Sequence, residues 1–230
     1  MKIIARIETD FPEKFGIPRQ SGLLETARGV IVFEPAYRNA DALKGIEGYD
    51  YLWLLWQFEG VERENWSPMV RPPRLGGNEY MGVFATRSPF RPNPIGLSSV
   101  KLEEVIWDTD HGPVLVVSGV DMRHNTPIYD IKPYLAYTDA HPEAKGGFAG
   151  NVLEYKLKVE FPADLLMQIP EDRREEIVRL LEQDPRPSYH NDPERVYGVS
   201  YAEWNVKFQV EEDVVKVVGV EGNLGTIKEN

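Results

Sequence analysis

Apolar and polar positions alternate, or β-branched residues run together, over residues 2–9, 29–33, 51–58, 80–86, 95–105, 114–120, 152–161, 205–210 and 214–220. A period of two sends successive side chains to opposite faces, so each stretch predicts a strand with one face toward a core. Helical periodicity is rarer. Residues 39–44 offer an Asn39 cap and one or two turns, ended by Gly45 or Gly48. The clear helix is 170–183, where Pro170 opens the first turn, acids follow, and Ile177, Leu180 and Leu181 share one face. Asp184 precedes Pro185, and a residue before proline avoids the α region, so the helix stops there. Many strands with few helices predict a barrel or sandwich rather than a doubly wound sheet. The pattern breaks over residues 139–150, a stretch of loop composition. It separates a main β domain, 1–150, from a strand and a small α+β portion, 151–230.

Composition narrows the class. The chain has 230 residues, 42% hydrophobic and 27% charged, enough for a packed core and unlike a disordered chain. The longest apolar run, Tyr51 to Trp56, suits a buried strand and is far too short to span a bilayer. The N-terminus meets Glu8 at once, with no long apolar region, so no signal peptide is expected and the cytoplasm is the expected compartment. Cys is absent, which excludes disulfides and thiolate-bound zinc. His111, His124, His141 and His190 have no ligand spacing, so no metal site is expected. No Gly-x-Ser-x-Gly elbow supports a hydrolase. Trp53, Trp56, Trp107 and Trp204 are most simply core or subunit contacts.

Charge is where the chain becomes unusual. The net charge of -11 opposes nucleic-acid binding over most of the surface. Between Arg63 and Lys101, however, six basic residues face two acids. The same region holds Pro72, Pro73, Pro89, Pro92 and Pro94, which fix φ and stiffen the loop before anything binds. Arg87 and Arg91 stand four apart across Pro89, so no single helix carries both, and they could converge on one anion. A proline-rich barrel corner with arginines capping carbonyls explains the same residues.

The segment Met81-Gly-Val-Phe-Ala-Thr-Arg-Ser-Pro-Phe-Arg-Pro-Asn-Pro-Ile-Gly-Leu97 resembles the signature of the TsaA-like family. Supporting pieces follow the same order: Lys14-Phe-Gly-Ile-Pro-Arg-Gln20, Tyr51-Leu-Trp-Leu-Leu, Arg71-Pro-Pro-Arg-Leu-Gly-Gly77, Asp130-Ile-Lys-Pro-Tyr134 and Asp184-Pro-Arg-Pro-Ser-Tyr189. The last piece resembles the longer bacterial members. The resemblance runs through most of the chain. It implies a closed β-barrel enzyme that uses S-adenosyl-L-methionine and methylates N6 of threonylcarbamoyladenosine beside the tRNA anticodon. It also implies a homodimer. The family often has His where this chain has Tyr51, and Asp-Gly-Thr-Pro where it has His124-Asn-Thr-Pro127.

By that resemblance the cofactor pocket would be lined by Pro18, Arg19, Gln20, Tyr51, Leu52, Arg87, Leu97, Asp121, Met122, Arg123 and His124. The absence of a Gly-x-Gly-x-x-Gly turn after a strand agrees with a pocket unlike the Rossmann type. Arg19 or Arg87 suits a methionine carboxylate. The acceptor nitrogen is a poor nucleophile, so a base or orienting acceptor would help, and Asp130 and His124 are the candidate catalytic groups. The threonyl carboxylate needs a cation: Arg91, Lys132 or Arg186, with Asn93 beside them in the substrate set. Tyr189 could stack on a base of the anticodon arm or pack against the helix ending at Gln183. Two other readings stay open: a barrel that binds cofactor or RNA without turnover, and a methyltransferase acting on a small molecule.

Overall fold

Residues 28–33 and 51–57 bury alternate side chains, and these two strands close with four others on one another. The computed structural model describes residues 1–61, 66–72, 75, 79–148, 156–186 and 192–222. Its strands are β1 (Ala5–Thr9), β2 (Arg28–Phe33), β3 (Tyr51–Gln57), β4 (Met69–Val70), β5 (Met81–Gly82), β6 (Ile95–Ile106), β7 (Val114–Ser118) and β8 (Thr126–Pro133). The closed antiparallel barrel runs β1-β2-β7-β6-β3-β8 and returns to β1. Closure leaves no strand edge to pair with another chain. Ile7, Ile31, Leu54, Val100, Leu115 and Ile128, one from each strand, are fully buried in its interior. Register shifts between Leu55 and Trp56, and between Leu102 and Glu104, supply the bulges with which a sheet bends into a barrel.

The chain departs from its expected pattern at several places. β8 is not among the expected strands, because Pro127, Asp130, Lys132 and Pro133 break the alternation, yet it closes the barrel against both β1 and β3. Residues 80–86 form only the two-residue β5, followed by a 3-10 turn at Val83–Ala85. Residues 39–44 make a 3-10 turn, Ala40–Leu43, with Asn39 Oδ1 accepting from the Asp41 amide as expected of its cap. β10 (Tyr197–Tyr201), also unexpected, is the edge of the second sheet.

That sheet runs β10-β11-β12-β9, with β9 (Lys158–Glu160), β11 (Trp204–Glu211) and β12 (Val214–Gly222). β9 pairs in parallel with β12, and the rest is antiparallel. Among the described residues three α-helices complete the fold: α1 (Ala136–Asp139), α2 (Ala163–Leu166) and α3 (Glu171–Glu182). α3 buries the expected face, Ile177, Leu180 and Leu181. Among the described residues no helix is long and apolar enough to cross a membrane.

One hydrophobic cluster joins barrel and second sheet. Phe11 meets Tyr201 edge to face, with ring centres 5.7 Å apart. Gly16 has φ +91°, and a Cβ there would lie 2.2 Å from Val199, so only glycine permits this approach. An ion pair of 2.6 Å links Arg173 of α3 to Asp10 of the barrel. The Arg173 guanidinium also donates to Tyr201, and Glu176 is buried beside it.

Candidate functional site

β6 turns Gly96, Ser98 and Val100 into the barrel, so the Ser98 hydroxyl is a polar group at an interior position and must find partners. It has two. The Trp56 indole N–H donates to Ser98 Oγ at 2.9 Å, and Ser98 donates to Asp121 Oδ1 at 2.6 Å. Asp121 lies just after β7, past the Gly119 turn, whose φ is +74°. The Gly119 carbonyl accepts from the Gly22 amide at 2.9 Å, which draws the loop carrying Gln20 and Ser21 against Asp121. The Ser21 amide donates to the Asp121 carboxylate, and Ser21 Oγ accepts from the Ser99 amide at 3.2 Å. Arg87 reaches the same place from the proline-rich loop, donating to Gln20 Oε1. Ser21 and Asp121, far apart in sequence, thus meet on Ser99 and Ser98, and Arg87 joins them through Gln20.

Enclosure sets the charge state of this cluster. Burial pushes the Asp121 carboxyl up to about 6; the Ser98 hydroxyl, the Ser21 amide and the nearby Arg87 charge oppose the rise.

Ser99 also borders a hollow of about 550 Å³ on the outer barrel face, lined with Tyr51, Trp53, Tyr134 and Asp139. Tyr134 packs against both Tyr51 and Trp53. Trp53 Nε1 donates to Asp139 Oδ2 at 2.8 Å, and the Leu135 amide with this indole holds the Asp139 carboxyl below its usual range. On the same face Leu97, Leu55 and Asp130 form a row across β6, β3 and β8. Two strand spacings put Asp130 roughly 10 Å from Leu97. A second cleft, about 640 Å³, lies between Leu23 and α3. Its lining mixes three cations, Lys156, Arg174 and Arg179, with two anions, Glu175 and Glu182.

The residues expected at the site divide accordingly. Gln20, Arg87 and Asp121 come together, with Leu97 and Tyr51 exposed beside them. Leu52 and Met122 are fully buried and Pro18 is buried, so their side chains belong to the core and only their main chain can face a ligand. Arg123 pairs with Glu59 at 3.0 Å. His124 Nδ1 accepts from the Thr9 amide at 3.3 Å, at the end of β1. Asp130 pairs with Lys132 at 2.9 Å on the outer face. Arg91 donates to the carbonyls of Thr86 and Ser88 at 3.0 and 3.2 Å, capping its own loop. Asn93 is exposed in that loop. Arg19 donates to the carbonyls of Asp184 and Arg186 at 3.0 and 3.5 Å, and Arg186 is itself paired with Asp184 at 2.9 Å. Tyr189 and His190, with Arg63, Arg74 and residues 152–155, lie outside the described residues. Ser21, Trp56 and Ser98 were not expected at the site. The signal for Ser98 was available as a hydroxyl at the inward phase of a strand.

Comparison with known proteins matches both halves of the chain. Residues 6–140 fit the family model of the tRNA-methyltransferase O N-terminal domain, and residues 154–223 that of the TrmO C-terminal domain. The chain is 39% identical over 226 residues to the tRNA (adenine(37)-N6)-methyltransferase of Escherichia coli, covering 95% of this chain and 96% of that one. It is 32% identical over 145 residues to a Pyrococcus abyssi protein named a probable S-adenosyl-L-methionine-binding protein, covering 63% of this chain and 73% of that one. A crystal structure of TrmO from Pseudomonas aeruginosa superposes with a TM-score of 0.73 at 33% identity, over 96% of this chain and 97% of that one.

Proposed function

The chain belongs to the tRNA-methyltransferase O family, and from that premise we propose that it is an S-adenosyl-L-methionine-dependent enzyme methylating N6 of threonylcarbamoyladenosine beside the tRNA anticodon. The observation that carries this reading is the cluster in which Arg87 meets Gln20 near Asp121, while Asp121 and Ser21 are held on Ser98 and Ser99, next to an open hollow. The donor set fits the cofactor. Arg87 is the cation for a methionine carboxylate, and Asp121 the anion for its ammonium. Exposed Leu97 and Tyr51 offer apolar area to a nucleoside. When bound, the cofactor supplies an electrophilic methyl group on a sulfonium.

What the chain itself does is hold and orient. In-line displacement depends mainly on alignment, and Arg87 and Asp121 are braced for it: one by Gln20, the other by Ser98 and Ser21. The acceptor N6 must lose a proton. Asp130 is the better placed of the two candidate bases, because it shares the outer face with Leu97, whereas His124 Nδ1 is engaged by Thr9. Lys132, 2.9 Å from Asp130, would meet the threonyl carboxylate. The exposed apolar side chain of Ile95 suits a homodimer that packs beside this site, and work on tRNA suits the cytoplasm.

The test is incubation with methyl-labelled S-adenosyl-L-methionine and tRNA with or without the threonylcarbamoyl group. Label should enter only the modified tRNA. Cofactor binding without transfer to any tRNA would overturn the enzyme in favour of a binding barrel.

A further inference from the structure

The ribbon of β4 and β5 holds aromatic rings in solvent beside arginines. Phe84 is 72% exposed, Tyr80 53% and Trp66 50%. These rings are nevertheless ordered by neighbours. Trp66 and Phe84 pack with centres 5.8 Å apart, and the Arg91 guanidinium lies 6.0 Å from the centre of Phe84. Arg91 is held by the Thr86 and Ser88 carbonyls, so its cation is fixed independently of any ligand. At the other end of the ribbon the Arg71 guanidinium sits 4.5 Å over Tyr80.

Large rings left in water forgo the stabilisation of burial, so a preordered exposed cluster points to a partner that covers it. Its charge says which. Between Trp66 and Arg91 the sequence has four arginines and one acid, Glu79, in a chain of net charge -11. Planar rings interleaved with guanidinium groups match unpaired nucleobases on a phosphate backbone. Position agrees as well. Phe84 precedes Arg87 by three residues, so their Cα atoms are at most about 11 Å apart, within reach of nucleotides next to one held at the Arg87 cluster.

We propose that the β4–β5 ribbon is a stacking platform for the unpaired anticodon-loop bases that flank the reacting adenosine, with Phe84 and Trp66 as the stacking rings. The proposal rests on the reading that the chain acts on tRNA. It deepens that reading by assigning a surface to the loop and a role to two rings outside the cofactor cluster.

The experiment titrates a fluorescently labelled anticodon stem-loop RNA against the full chain and its Phe84→Ala, Trp66→Ala and Phe84→Tyr variants. Calorimetry with S-adenosyl-L-methionine and sedimentation are run in parallel. Each alanine variant should bind the RNA about tenfold more weakly, with cofactor affinity and sedimentation unchanged. Phe84→Tyr should bind like wild type, because the ring persists. Unchanged RNA affinity in both alanine variants would overturn the platform. So would intact RNA affinity with a shift to a smaller sedimenting species, which would make the rings an interface between copies. A wild type that transfers no methyl group yet binds RNA through these rings would overturn the enzyme alone and support the platform.

Discussion

Ser98 donates its hydroxyl to Asp121 at 2.6 Å while accepting from Trp56, so a buried indole and a titrating carboxyl are linked through one oxygen. Burial raises Asp121 to about 6, with the hydroxyl opposing that rise. The folded state therefore holds the Asp121 proton more tightly than the unfolded chain does. Stability should fall as pH rises from about 4 to 6 and then level off, a loss of about 3 kcal/mol at most. Asp121→Asn should flatten that part of the pH–stability curve in chemical denaturation. Cofactor affinity should move the opposite way in the wild type, weakening below about pH 6 as the anion is lost. Equal slopes in the two proteins would refute the assignment.

Gly96 sits opposite Trp56 in the β3–β6 register, and the indole lies directly over it. A Cβ at Gly96 would come within 2.2 Å of the ring. Gly96→Ala should therefore displace Trp56 and break its bond to Ser98. We expect a loss of about 1–3 kcal/mol in unfolding free energy, the usual cost of overpacking a core. Near-ultraviolet circular dichroism should register the moved indole.

Arg173 holds barrel and second sheet together through Asp10 and Tyr201, and lies 3.9 Å from Glu176. Burial raises the Glu176 carboxyl, and its Oε1 has no hydrogen-bond partner among the described residues. Arg173→Ala should cost about 2 kcal/mol, between the values for surface and buried pairs. Glu176→Gln removes a carboxyl whose ionisation burial opposes and should leave the melting temperature unchanged or higher near neutral pH. Thermal unfolding of both variants checks the contrast.

Arg19 links the loop that carries Gln20 to the turn at Asp184–Arg186 through two carbonyls. Arg19→Ala should free that turn more than it disturbs the barrel. Hydrogen exchange should quicken around Asp184 while remaining slow in β1 and β7. If Arg19 instead binds the cofactor directly, affinity for S-adenosyl-L-methionine should drop with exchange unaltered.

Much of the fold follows from local pattern. Stretches such as 95–105 and 214–220 became β6 and β12, because burying one face of a strand needs only a period of two, and the apolar run 114–120 became β7, buried on both faces. The helix ending at Glu182 was equally legible, since its apolar stripe and the proline that follows shortly after act locally. β8 was not. Its prolines and charges hide the period, and it is a strand because β1 and β3 stand on either side of it.

The site divides along the same line. The sequence by itself determined that an arginine- and proline-rich loop stiff enough to preorganise a site lies between Val70 and Gly96, because proline restricts φ whatever surrounds it. Tertiary structure alone decided where each guanidinium points: Arg87 to Gln20, Arg91 to its own loop, Arg19 to the C-terminal turn. A long flexible side chain takes its partner from whatever the barrel register brings near. That register joins Ser21, Ser98 and Asp121, residues whose proximity no local pattern encodes.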